Sequence, residues 1–349
     1  MANYTVAPED EYDVLIEGDL ENIEVDQPGK YDADVLSAEQ ALLLCSTVFV
    51  IGFLDNILVV FILVKYKTLK NVGNIYLLNL AVSNLCFLFP LPFWTYITSH
   101  EESPGDPMCK VLVGLHSASL QGEVLFNILL LVQGYKVCAH MRSLSASFKM
   151  VPYGVITSVL MWVVAILIIL PELIFYEPQM ERKKYTCCFS RYQFLLSEET
   201  FKSFLTLKMN ILVLVFPLFV FIFCFVQMRK VRSSEGRQCD LCKLAFVTMG
   251  VFLLMWTPYN IALFLSTLEE HLFLEDKNRY NLDVSVQVTK IIAISHCCVN
   301  PLLYLLLDKD FRKYLCSLFP LCEDISFQTV VDSAQATMPR EGDNYSTDL

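Results

Sequence analysis

Hydrophobic positions along this chain gather into seven long runs, at 41–64, 75–98, 111–132, 151–170, 204–226, 244–268 and 284–307, with short polar stretches between them. Each run reaches the roughly 20 residues that a helix needs to cross about 30 Å of hydrocarbon. None alternates apolar and polar positions as a barrel strand does. Backbone groups in lipid must also be satisfied within their own element, so the runs predict seven membrane-spanning helices. After the seventh, "DKDFRKYLCSLF" places Phe311, Tyr314, Leu315 and Leu318 at helical spacing opposite Lys309, Arg312 and Lys313. That pattern predicts a short amphipathic helix in contact with membrane lipid. The expected class is an all-α membrane protein with four parts: an acidic disordered tail (1–40), a helix bundle (41–307), an amphipathic eighth helix (308–319) and a second tail (320–349).

Composition agrees, since 349 residues with 55% hydrophobic and 18% charged content are too apolar for an ordinary soluble domain. Basic residues fix the expected orientation. Fourteen, among them Lys65, Lys136, Arg229 and Lys309, follow the odd-numbered spans, against eight in the other loops. Basic loops stay cytoplasmic, so the N-terminus is expected outside and the C-terminus inside a plasma-membrane protein. The first 40 residues carry 12 acids and one lysine, which predicts disorder and argues against a cleavable signal peptide. This tail is either a solvated segment or an arm that draws in a basic ligand through Asp10, Glu11, Tyr12 and Asp13, with Tyr12 a sulfation candidate among acids. Asn3-Tyr4-Thr5 is an N-glycosylation sequon on the outer side. Nothing suggests nucleic-acid binding.

Of 13 cysteines, Cys109, Cys187 and Cys188 fall in the oxidising compartment. One disulfide is expected, from Cys109 to Cys187 in preference to Cys188. Cys316 and Cys322, beside the amphipathic helix, are either palmitoylation sites or free thiols. Cys239 and Cys242 have the spacing of half a zinc site, without the other half nearby. Prolines 90, 92, 217, 258 and 301 lie inside spans, where neighbouring groups can satisfy each freed carbonyl and leave a kink.

Asn56 in "DNILVV", "NLAVSN", Trp162, Pro217, "WTPY" and "NPLLY" occur in an order and spacing that resembles a rhodopsin-class G-protein-coupled receptor. "LPFW" and "SHCCVNPLLY" resemble the chemokine receptors more narrowly. Two further stretches, "MANYTVAPEDEYDVLIEGDLE" and "VFLLMWTPYNIALFLST", are similar to the atypical chemerin-binding branch. That resemblance implies capture and presentation of chemerin, with C-C chemokines as further candidate ligands, in chemotaxis and the inflammatory response. It also implies weak or absent G-protein coupling, and it leaves arrestin recruitment open. Family members carry Asp-Arg-Tyr where this chain has Gln133-Gly134-Tyr135, tyrosine where it has Phe225, and aspartate where it has Asn84. Trp256, Pro258 and Tyr304 are retained. The expected reading is a receptor fold with its transmission disabled.

An ionisable residue inside a span is a functional candidate. Glu123 lies 11 residues before Gly134, about 16 Å from the inner end of its helix, and Asn84 sits at nearly the same depth. The resemblance completes a polar ring with Asn56, His296 and Asn300, which in ordinary members holds sodium. Glu123 is therefore expected either to be neutral or to hold sodium from the third helix. Lys290 replaces a ligand-binding glutamate of the family, and it either receives an anionic ligand terminus or snorkels to the surface. Trp94 and Tyr259 line the same cavity in the family, or serve only as packing. No cofactor is expected. An enzyme or a transporter is disfavoured, because the spans contain no paired catalytic acids, no metal-binding histidine pair and no inverted hydropathy repeat.

Overall fold

The computed structural model describes residues 38–67, 69, 71–93, 105–139, 151–181, 184–189, 198–235, 240–272 and 276–318. Seven helices in it are long and apolar enough to cross a membrane. They are α1 (Ala38–Lys65), α2 (Val72–Leu88, resuming after a turn at Phe89), α3 (Asp106–Ala139), α4 (Val151–Phe175), α5 (198–235), α6 (Asp240–Leu272) and α7 (276–307). The eighth, α8 (Lys309–Leu318), packs against α1 and α7. Helix ends are capped where the sequence allows it. Asn71 accepts from the Gly73 amide at 3.0 Å to start α2, as expected for an N-cap side chain. Asp308 accepts from the Phe311 amide at 3.1 Å to start α8 and also pairs with Lys67 of α1.

α3 is the axis of the bundle and packs against α2, α4, α5 and α6. The outer helices show their apolar side chains to lipid. Only 17% of the α5 window is buried against 61% for α2, and Leu160, Phe219 and Leu254 point outward. The core between the helices is built on Phe87, Phe126, Leu130, Phe252, Trp256 and Tyr304.

Two features were absent from the sequence reading. Between α4 and α5 lies an antiparallel hairpin, β1 (Tyr176–Glu181) and β2 (Lys184–Phe189), with Tyr176 opposite Phe189 and Glu181 opposite Lys184. Within α5, Glu198–Met209 and Phe216–Glu235 are α-helical, but Asn210–Val215 form a π-helical segment. Pro217 explains its position: the ring removes one amide donor and crowds the carbonyl four residues earlier, and a widened turn relieves that crowding. α7 is also interrupted, at Ser295, between Asp276–Ile294 and His296–Leu307.

Candidate functional site

The polar residues expected to share one ring are all buried. Asn56, Asn84, Glu123 and His296 are completely inaccessible, and Asn300 nearly so. Two linked groups form. In the first, Asn56 Nδ2 donates to Gly52 O at 2.7 Å and to Cys297 O at 3.0 Å, while Asn84 Nδ2 donates to Asn56 Oδ1 at 3.0 Å. Cys297 is four residues before Pro301, so its carbonyl is the one that the proline leaves without a helical partner. Asn56 supplies that partner from α1.

In the second group Glu123 reaches from α3 to α7. Its Oε2 lies 2.6 Å from His296 Nε2, and its Oε1 accepts from Asn300 Nδ2 at 3.0 Å. The other ring nitrogen of His296, Nδ1, contacts the Ala293 carbonyl. Asn84 Oδ1 and Asn300 Oδ1 have no hydrogen-bond partner. The imidazole stands edge-on to Phe87, Phe252 and Trp256, with ring centroids 5.4–5.9 Å apart. The acid, its two partners and the Trp256 ring thus form one packed unit at the centre of the bundle.

At the end of the bundle near α8, Gly134 lets α3 come close to α6. A Cβ built on it would lie 3.0 Å from the Cys242 Cα and 3.4 Å from both the Ala245 Cβ and the Leu241 carbonyl oxygen. Backbone, not a yielding side-chain tip, fills the space beside Gly134. Gln133 is buried and Tyr135 partly exposed. Phe225 packs edge-on against Phe246 of α6 at 6.2 Å, with the Arg229 guanidinium 5.3 Å from its ring centre. No hydroxyl is present at this position, and the ring is left partly exposed.

At the opposite end, Lys290 of α7 is exposed, and its charge acts on Cys45 of α1 and His116 of α3. The charge therefore lies near α1 and α3 at the mouth of the bundle. His116 stacks on Phe87 at 4.2 Å, and Tyr259 meets Trp256 edge-on at 6.0 Å. Phe87 thus bridges His116 and the Glu123 unit, stacked on the first imidazole and edge-on to that of His296. Cys109 is buried and disulfide-bonded, and α3 packs against β1. Cys187 lies in β2 opposite Pro178.

Residues 55–304 match the family described as 7 transmembrane receptor (rhodopsin family). Over its whole length the chain is 58% identical to human C-C chemokine receptor-like 2, with 100% of both chains covered. It is 56% identical to the mouse protein of that name, covering 100% of this chain and 97% of the other. To human C-C chemokine receptor type 1 it is 43% identical, over 79% of this chain and 78% of the other. This chain belongs to the rhodopsin family of seven-transmembrane receptors. It is chemokine-receptor-like, a multi-pass plasma-membrane receptor and not an enzyme.

In this receptor several expected site residues lie outside the described set: Asn3, Asp10, Glu11, Tyr12, Asp13, Trp94 and Cys322. Cys316 is half-buried on α8. The expected single ring is divided, because Asn84 bonds Asn56 and leaves the carboxylate to α7. One ionic contact was missed altogether. Glu172 of α4 and Lys208 of α5 form a buried pair, each side chain 8% exposed. Its signal was present, since Lys208 lies inside a span and Glu172 two residues beyond one.

Proposed function

We propose that this receptor is an atypical chemoattractant receptor that binds and presents a protein ligand at the cell surface without ordinary G-protein activation, with its N-terminus outside. Chemerin is the first candidate ligand and the C-C chemokines are the second. One observation carries the non-signalling part. Gly134 offers no guanidinium to a G protein, and a Cβ at that position would already lie 3.0 Å from the Cys242 Cα of α6. The absence of a hydroxyl on Phe225 and of a carboxylate on Asn84 points the same way. Lys290 supports a ligand that ends in a carboxylate, because an ammonium in the mouth attracts an acid and repels a basic N-terminus. The disulfide of Cys109 is assigned to Cys187, which would tie the hairpin to the top of α3.

A second reading, a receptor that still signals, is favoured by Trp256, Pro258 and Tyr304, which keep the packing positions of the family. Labelled chemerin and a chemokine panel, applied to cells expressing the receptor with guanine-nucleotide loading followed in parallel, separate the two. Saturable chemerin binding without loading is expected. Loading at the rate of an ordinary chemokine receptor would establish the second reading. Lys290→Glu should weaken chemerin about tenfold or more, equivalent to about 1.4 kcal/mol. Unchanged affinity would remove Lys290 from the site.

A further inference from the structure

The family resemblance implies a sodium ion in the polar ring, held by a carboxylate. The residues of this receptor can be tested against that ion by following one proton. His296 Nδ1 faces the Ala293 carbonyl oxygen, which can only accept, so Nδ1 carries a hydrogen. His296 Nε2 faces Glu123 Oε2 at 2.6 Å, and a contact of this kind needs a single proton between nitrogen and oxygen. If that proton sits on Nε2, a protonated imidazole meets a carboxylate. If it sits on Oε2, a neutral imidazole meets a carboxylic acid. Either way the net charge of the pair is zero.

The second carboxylate oxygen is also engaged, by the Asn300 amide at 3.0 Å. The second-helix position, an acid in ordinary members, is the neutral Asn84, whose amide is committed to Asn56. A cation entering this ring would find neutral oxygens, Asn84 Oδ1 and Asn300 Oδ1, beside a pair already balanced. Its charge would be buried without an opposite charge, an unfavourable arrangement in a site closed to water. The residues present do not fit a sodium ion.

We infer that His296 takes the place of the ion, and that the Glu123–His296 pair is an internal, permanently loaded counter-charge that joins α3 to α7 and leaves the receptor indifferent to sodium. A dissociable ion lets the ring exchange with solvent, whereas a covalently attached imidazole cannot leave. The α3–α7 connection is then fixed by the sequence and not set by the ionic medium. This inference is independent of which ligand binds outside.

The test is the thermal unfolding of the full-length purified receptor in sodium chloride and in choline chloride at equal ionic strength. The parent receptor is expected to melt at the same temperature in both salts. A midpoint raised by sodium, with the rise abolished by Glu123→Gln, would overturn the proposal. The reciprocal variant, His296→Gln, keeps an amide donor and removes the group that shares the proton, so the carboxylate is left with a net charge. It should acquire a sodium-dependent rise in midpoint that His296→Gln combined with Glu123→Gln lacks. A folded His296→Gln receptor that stays insensitive to sodium would also refute the neutral-pair account. Should that variant fail to fold, the parent comparison and Glu123→Gln decide the matter by themselves.

Discussion

Asn56 joins three helices with one side chain, linking Gly52 of its own α1, Asn84 of α2 and the carbonyl of Cys297 on α7. Asn56→Ala leaves the Cys297 carbonyl and the Asn84 amide buried without these partners. Each such orphan costs about 1–3 kcal/mol, so a stability loss of about 3 kcal/mol is expected in denaturant unfolding of the purified receptor. A loss below about 1 kcal/mol would mean that another group satisfies the carbonyl freed by Pro301. Gly134→Ala tests the α3–α6 contact. Alanine favours a helix over glycine by about 1 kcal/mol, yet the added methyl meets the Cys242 backbone at 3.0 Å, and overpacking costs about 1–3 kcal/mol. The variant should melt lower than the parent, whereas a higher midpoint would show that α6 moves aside freely. At this scale the sequence was informative about which residues mattered and less so about their partners. The rise of about 1.5 Å per residue sets the depth of Glu123 and Asn84 in the membrane, but depth says nothing about which neighbour each side chain turns towards. That is why the expected ring separated into an Asn56–Asn84 pair and a Glu123–His296–Asn300 group.

Single elements were legible where a long run of one character spelled them out. All seven spans and α8 were visible because apolar runs of about 20 residues, and an apolar stripe opposite three cations, leave few alternatives. The hairpin of β1 and β2 was not visible, since strands of six residues in a polar loop leave no comparable pattern. The π-helical segment was also missed. Pro217 announced a disturbance, but not whether the chain would bend or widen. The cap of α8 gives a prediction at this scale. Asp308→Ala removes both the acceptor for the Phe311 amide and the partner of Lys67, at a cost of about 1 kcal/mol for the cap. Amides of the first turn of α8 should exchange faster with solvent deuterium, while those of α2 stay as they were. Equal protection in parent and variant would show that packing alone holds α8 in place.

At the scale of the whole molecule, a buried ion pair crosses between two lipid-facing helices. Lys208 and Glu172 join α4 to α5, two helices whose apolar windows are otherwise mostly exposed. Lys208→Met alone strands a buried carboxylate and should cost about 3–5 kcal/mol, most of which Lys208→Met with Glu172→Gln should recover. Detergent-solubilised yield and melting midpoint of the three forms measure this, and an equally damaged double variant would show that the pair itself is indispensable. The bundle was legible because bilayer thickness imposes length on the sequence. This cross-helix pair was harder to see, because its partners lie on different spans and neither marks the other.

The glycine at the end of α3 also ties one position to three others. A Cβ at 134 would lie 3.0 Å from the Cys242 Cα and 3.4 Å from the Ala245 Cβ and the Leu241 carbonyl oxygen, so any larger side chain there obliges α6 to give by a few tenths of an ångström. A substitution at 134 is therefore never a local change, and its effect depends on what stands at Leu241, Cys242 and Ala245.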